Sequence, residues 1–278
     1  MKPGWRYAKA AVTGTRHAAD RRGCEDFAAA RIIGTARGNV LAACVCDGAG
    51  SSPQAATGAR VAAEAFLTVA GDRLRDTGGL VDETDLAEFL SFAALAVTLK
   101  AFTEKNPARD YATTLVGALV SESWSAFVQV GDGAMVVPSA PGRWELVFEP
   151  QRGTYANETY FLTDDDARLR AHVAVRPYGV AEVALFSDGL ERLLIREAAG
   201  SPVAEAFFNE MLPAVRGSGA PGEDLVLAQA LSAYLSSEAI NARTDDDKSL
   251  ILASRLLPAQ PPPEGAAATG EHSHAAPG

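Results

Sequence analysis

NVLAACVCDGAGSS, residues 39–52, is the stretch on which the reading of the fold turns. Its first eight residues are almost continuously apolar and too few for a typical helix, which predicts a strand buried on both faces. The run ends directly on Asp47-Gly48, and apolar strands end the same way at Asp132-Gly133 and Asp188-Gly189. One Asp-Gly after a strand is an ordinary hairpin turn. Three of them, each after an apolar run, suggest a shared purpose at strand ends.

Working outward, residues 8–14 and 26–33 read as short strands. After residue 50 the period changes to helical. Ser51 or Ser52 can cap, Pro53 suits a first turn, and Ala56, Ala59, Val61, Ala63, Phe66, Leu67 and Val69 follow on one repeat. A second helix is predicted from about Thr84 to Lys105, with Leu86, Phe89, Leu90, Ala93, Leu95, Val97 and Phe102 as its apolar set. Residues 110–120, 124–130 and 134–139 then read as an antiparallel meander, and 143–150 adds a strand. Residues 150–178 are irregular and read as a flap-like insertion. A strand at 180–186, helices at 189–197, 202–215 and 223–237, and a strand at 249–257 complete the pattern. Strands in antiparallel runs with helices in blocks predict an α+β fold: two antiparallel sheets packed as a sandwich, flanked by helices on both sides. The domain is expected over 1–257. Residues 258–278 are biased to Pro, Ala and Gly and read as a disordered tail, where His272 and His274 cannot be pre-organised.

Composition narrows the function. The chain has 278 residues, 25 basic and 35 acidic, for a net charge of −10. That disfavours nucleic acid and anionic membranes, both of which recruit Lys and Arg. No segment reads as the roughly 20 apolar residues of a membrane helix, and residues 1–17 lack a signal-peptide core. The three cysteines, Cys24, Cys44 and Cys46, are too few and too odd in number for a disulfide framework, which suits a cytoplasmic location.

Two more acidic loci stand at strand boundaries, Glu25-Asp26 and Asp245-Asp246-Asp247. Carboxylates gathered on one rim repel unless cations hold them. A set without paired His or Cys favours hard ions, magnesium or manganese. Two such ions about 3.5–4 Å apart activate a water for in-line attack on phosphorus. Glycine after each Asp allows close approach of the backbone. Thr113-Thr114 and Ser187 read as structural, and the tryptophans Trp5, Trp124 and Trp144 as packing. Asp164-Asp165-Asp166 reads as a solvated helix cap.

These residues form an ordered pattern. GTRH with CEDF (14–17, 24–27), VCDGAGSS (45–52), ATTLVGA (112–118), VGDG (130–133), FSDGL (186–190) and DDKSLIL (246–252) together resemble the protein phosphatase 2C family of metal-dependent phosphatases, bacterial type. The resemblance covers about residues 10 to 255. It implies a serine/threonine protein phosphatase with two or three manganese or magnesium ions, acting by attack of a metal-bridging water. By the same resemblance Asp47 bridges two ions with the Gly48 carbonyl beside it, and Asp188 and Asp246 hold the second. Glu25 and Asp26 act through bound waters, and Asp132 with Asp188 marks a third site. Arg21 matches a phosphate-binding Arg, with Arg22 as rival and His17 as a further candidate. The implied partners are a phosphorylated protein and a cognate serine/threonine kinase, with the chain itself a monomer.

Departures from the family pattern are Ala49, where some members carry His, and Gly133, where Ser is usual. The alternatives are a pseudophosphatase acting as a regulatory module and a different metal-dependent hydrolase such as a nuclease. Retention of Asp47, Asp188 and Asp246 argues against the first, and the acidic charge against the second.

Overall fold

The structure, a computed structural model, describes residues 4–151, 159–195, 202–219 and 221–256. The strands are β1 Arg6–Val12, β2 Phe27–Thr35, β3 Gly38–Cys46, β4 Leu115–Val120, β5 Ser125–Val130, β6 Ala134–Ala140, β7 Arg143–Leu146, β8 His172–Arg176, β9 Glu182–Phe186, β10 Gly222–Glu223 and β11 Lys248–Ser254. The helices are α1 Thr15–Ala19, α2 Ala55–Asp76, α3 Glu83–Thr103, α4 Ala167–Arg170, α5 Glu191–Leu194, α6 Glu205–Arg216, α7 Leu225–Leu235 and α8 Glu238–Asn241. One sheet runs β10-β1-β11-β9-β6-β7 and the other β2-β3-β4-β5-β8. All their pairings are antiparallel except the two-residue contact of β1 with β10. This is the predicted sandwich.

The alternation within β3 shows why its sequence is continuously apolar. Leu41, Ala43 and Val45 pack between the two sheets. Val40, Ala42, Cys44 and Cys46 face the opposite way, into the layer shared with α2 and α3. Strand β11 does the same for the other sheet. Ile251 and Ala253 join the inter-sheet layer, whereas Leu250 and Leu252 meet α6 and α7. Three apolar layers therefore hold four layers of structure, and a central strand must satisfy two of them. Tyr7 crosses the sandwich, its hydroxyl donating to the Ala30 carbonyl at 3.0 Å. Trp5, Trp124 and Trp144 are all buried.

Several sequence expectations need correction. The meander over 110–139 is split: β4 and β5 pair in one sheet, while β6 pairs with β7 and β9 in the other. Residues 108–111 form a 3-10 turn instead of the start of a strand. The irregular insertion contains β8, which pairs with β5 but has no fully buried residue and so no clean alternation. Helix α2 starts without a serine cap, because Ser52 Oγ donates to the Arg109 carbonyl. Helix α3 is instead opened by an Asp82/Asp85 capping box that sequence reading missed. Leu95 and Phe102 lie on its exposed side. By length and composition α3 could cross a membrane, against the sequence expectation, yet its inner face belongs to the core. Asp166 does not cap α4 but pairs with Arg170. The tail 258–278, with His272 and His274, lies outside the described residues.

Phe127 of β5 is fully buried between the sheets. Phe127→Ala is expected to lower stability by about 3–5 kcal/mol in denaturant unfolding, through lost burial and the cavity left behind. A cost under about 1 kcal/mol would place it outside a packed core.

Candidate metal centre

Strand register brings the acidic loci to one rim. Phe27 of β2 pairs with Cys46 of β3, so Asp26 and Asp47 leave that sheet side by side. In the other sheet Phe186 of β9 pairs with both Leu250 of β11 and Ala134 of β6. Asp188, Asp132 and Asp246 therefore leave from one end. Asp132 sits in the crossover from β5 to β6, which joins the two sheets and is not a hairpin.

The rim is fastened by backbone and hydroxyl groups. Asp47 N–H donates to Thr114 Oγ1 at 3.0 Å. Its carbonyl accepts from Thr114 N–H at 2.8 Å and Thr113 Oγ1 at 2.9 Å. The paired threonines thus hold the bridging candidate in place and are not nucleophiles. Ser187 Oγ donates to Asp26 Oδ2 at 2.7 Å and accepts from Ser249 N–H at 3.0 Å, tying one sheet's edge to the other's. The glycines serve close packing. A Cβ on Gly48 would stand 2.7–2.8 Å from Ala55 at the start of α2, and one on Gly189 would stand 1.9 Å from the Asp247 carbonyl. Neither has a positive φ, so neither is a turn glycine.

Electrostatics show what this convergence costs. Burial pushes Asp26 up to about 7, partly offset by the Ser187 hydroxyl and reinforced by Asp247. Asp132 is also pushed up to about 7, by burial first and the Asp188 charge second. Asp47 is held well above the usual carboxylate range by burial, then by Asp26 and Asp188. Asp188 is raised by burial, with Asp246 and Glu191 adding repulsion. Asp26 Oδ1 and Glu25 Oε2 are buried without a hydrogen-bond partner. Among the described residues no group of three or more His, Cys, Asp or Glu is already gathered to hold an ion. The chemistry of the donor set still fits hard divalent cations: oxygen ligands alone, two of them orphaned, in a field that favours positive charge.

The cationic candidates sort differently from the sequence expectation. Arg21 is exposed, on a left-handed backbone with φ 58°, and has no side-chain hydrogen bond or ion pair among the described residues. Arg22 is the arginine at the rim, bonding Glu25 Oε1 at 3.0 and 2.5 Å and the Gly50 carbonyl at 2.9 Å. Arg16, not singled out before, reaches Asp246 Oδ1 at 2.9 Å. His17 is not open to a phosphate. It is buried, with Nδ1 2.9 Å from Asp247 Oδ2 and Nε2 3.9 Å from Glu25 Oε2.

Asp247 is the residue the sequence reading missed. It accepts from Gly14 N–H and Glu25 N–H, each at 2.6 Å, besides meeting His17. One buried carboxylate thereby anchors the loop after β1 and the start of β2. In the triplet Asp245-Asp246-Asp247 its place directly before a strand buried on both faces was the available signal.

The structure is an αββα sandwich whose sheet ends converge on an acidic rim. Comparison with known proteins agrees: the Protein phosphatase 2C family profile matches residues 13–236. The chain belongs to the protein phosphatase 2C family. It is 32% identical over 258 residues to serine/threonine-protein phosphatase 3 of Escherichia coli strain K12, covering 90% of this chain and 98% of that one. Its fold is similar to that of serine/threonine phosphatase Stp1 from Staphylococcus aureus (TM-score 0.57, 18% identity, 91% of this chain and 97% of that one). It is also similar to the catalytic domain of serine/threonine protein phosphatase PstP in complex with two manganese ions (TM-score 0.55, 18% identity, 90% and 98%).

The raised acids make a signed prediction. A carboxyl whose folded pKa lies above its unfolded value of about 4 loses stability as pH rises between the two. In chelator, Asp132→Asn should match wild type near pH 4 and melt higher than it by pH 8. Calorimetry showing no divergence would remove the repulsion from the account.

Proposed function

We propose that this protein phosphatase 2C chain hydrolyses phosphoserine and phosphothreonine on proteins, using two or more manganese or magnesium ions at the Asp47 rim. The observation that carries the reading is the convergence of Asp26, Asp47, Asp132 and Asp188 at one rim through strand register, each raised above the usual carboxylate range by burial first, with a neighbouring carboxylate adding to it. Asp47 is fixed by its own backbone and stands between the two sheet ends, where its carboxylate would help hold the cations. Asp188 and Asp246 approach from one sheet and Asp26 from the other. When bound, the cations supply positive charge to the phosphoryl oxygens and an activated water for in-line attack.

The chain's own residues supply the rest. The Arg22 guanidinium, braced by Glu25 and Gly50, presents planar donors at the rim edge and suits a phosphate. Ala49 offers no proton to the leaving oxygen, and its N–H is bound to the Ala112 carbonyl. A cleft of about 320 Å³ beside it, lined by Ser51, Ser52, Arg109, Asp110, Phe161 and Asp164, gives peptide residues flanking the phosphate a place to lie. The free thiols, Cys44 and Cys46 buried and Cys24 half-buried, suit a reducing cytoplasm. The pseudophosphatase reading is weaker because Asp47, Asp188 and Asp246 are all retained.

Phosphate release from a phosphothreonine peptide tests this. Manganese-dependent release is expected from wild type, falling to background in chelator and in Asp47→Ala. Release unchanged in Asp47→Ala would remove the rim from the chemistry. Arg22→Ala should lower kcat/KM by tenfold or more, a loss of about 1.4 kcal/mol in transition-state binding. Arg21→Ala should change it less than threefold, and the reverse ranking would restore the sequence-based choice.

A further inference from the structure

Helix α3 has two apolar faces and the core uses only one. Leu86, Phe89, Leu90, Ala93 and Val97 are buried in the layer beneath α2 and α3. Phe92, Leu95, Leu99 and Phe102 remain exposed, by 46%, 52%, 54% and 79%. Steps of three, four and three residues put all four on one stripe opposite Val97, the spacing of a coiled-coil seam. The neighbouring hydroxyls of Ser91, Thr98 and Thr103 each donate to the carbonyl four residues earlier in the helix. The face can therefore be dried without stranding those polar groups.

The stripe is a palindrome, Phe-Leu-Leu-Phe with the same spacings in both directions. Turned antiparallel about its midpoint, a second copy sets Phe92 against Phe102 and Leu95 against Leu99 at every level. A two-fold isologous contact requires this self-complementarity. Charge selects the same direction. Glu88 is exposed before the stripe and Lys105 just beyond it. Lys105 follows the end of α3 at Thr103, so antiparallel pairing brings Glu88 of one copy toward the helix end that carries Lys105 of the other, whereas parallel pairing brings like ends together.

We propose that the outer face of α3 is a self-association surface through which two copies of this chain pair antiparallel, replacing the monomer expected from sequence. The seam is about 15 Å long at 1.5 Å per residue. That is short for a standard interface of about 800 Å² per partner, so the dimer is weak and concentration-dependent. None of the four residues belongs to the carboxylate rim, so the per-chain activity does not depend on pairing.

Sedimentation or light scattering over roughly 1 to 200 μM tests it, a range centred on micromolar affinity. Wild type should rise from 29.0 kDa toward twice that mass. The double variant L95E/L99E should stay at the monomer mass throughout, with unchanged circular dichroism and unchanged phosphate release per chain. Phe102→Glu, at the most exposed position, should give the same loss if the double variant folds poorly. Glu88→Lys should weaken pairing, and adding Lys105→Glu should restore it. A wild type that stays monomeric would overturn the proposal, and so would charge variants that associate like wild type. Capture of monomeric wild type by neutral lipid vesicles through this face would also overturn it, in favour of a membrane.

Discussion

Burial of several carboxylates at one rim is the constraint around which this molecule is organised. Asp26, Asp47, Asp132 and Asp188 are all held above the usual carboxylate range, and burial is the first cause at each. Carboxyl groups buried in this way stay at one rim because something stiffer holds their backbones. The sandwich supplies that stiffness. Its three apolar layers fix where β2, β3, β9 and β11 end, and the acids follow from the register. Ionising these acids in the absence of a cation thus costs stability.

Around the repelling set lies a group of residues whose work is to position. Thr113 and Thr114 fix Asp47, Ser187 fixes Asp26, and Asp247 fixes Glu25 and His17. Arg22 and Arg16 each neutralise one carboxylate at the periphery, on Glu25 and Asp246. Lys248 lies buried beneath them, its Nζ on the Asp246 carbonyl and Asn241, with burial lowering its pKa. Positive charge from the protein therefore reaches the edges of the rim, at Glu25 and Asp246.

The fold and the acidic loci were legible in sequence for the same reason. A strand buried on both faces shows as a short continuous apolar run, and β3, β9 and β11 all carry that signature into or out of an acidic residue. What stayed illegible lacks a local signature. Strand β8 alternates too weakly to be seen. The partition of β4 to β7 between two sheets depends on the crossover at Asp132, and short polar breaks look alike whether they turn or cross. The choice between Arg21 and Arg22 rests on one left-handed backbone angle at Arg21. Asp247 was hidden because its partners, at Gly14, His17 and Glu25, lie more than 200 residues away in the chain.

The central claim is that the Asp47 rim is a site for divalent cations made of oxygen ligands alone. Calorimetric titration of the chelator-treated chain with manganese tests it most directly. The account predicts at least two ions per chain, with Asp47→Ala losing that binding while keeping its circular dichroism. Absence of manganese binding to the wild type at millimolar concentration, or binding that survives Asp47→Ala unchanged, would contradict it.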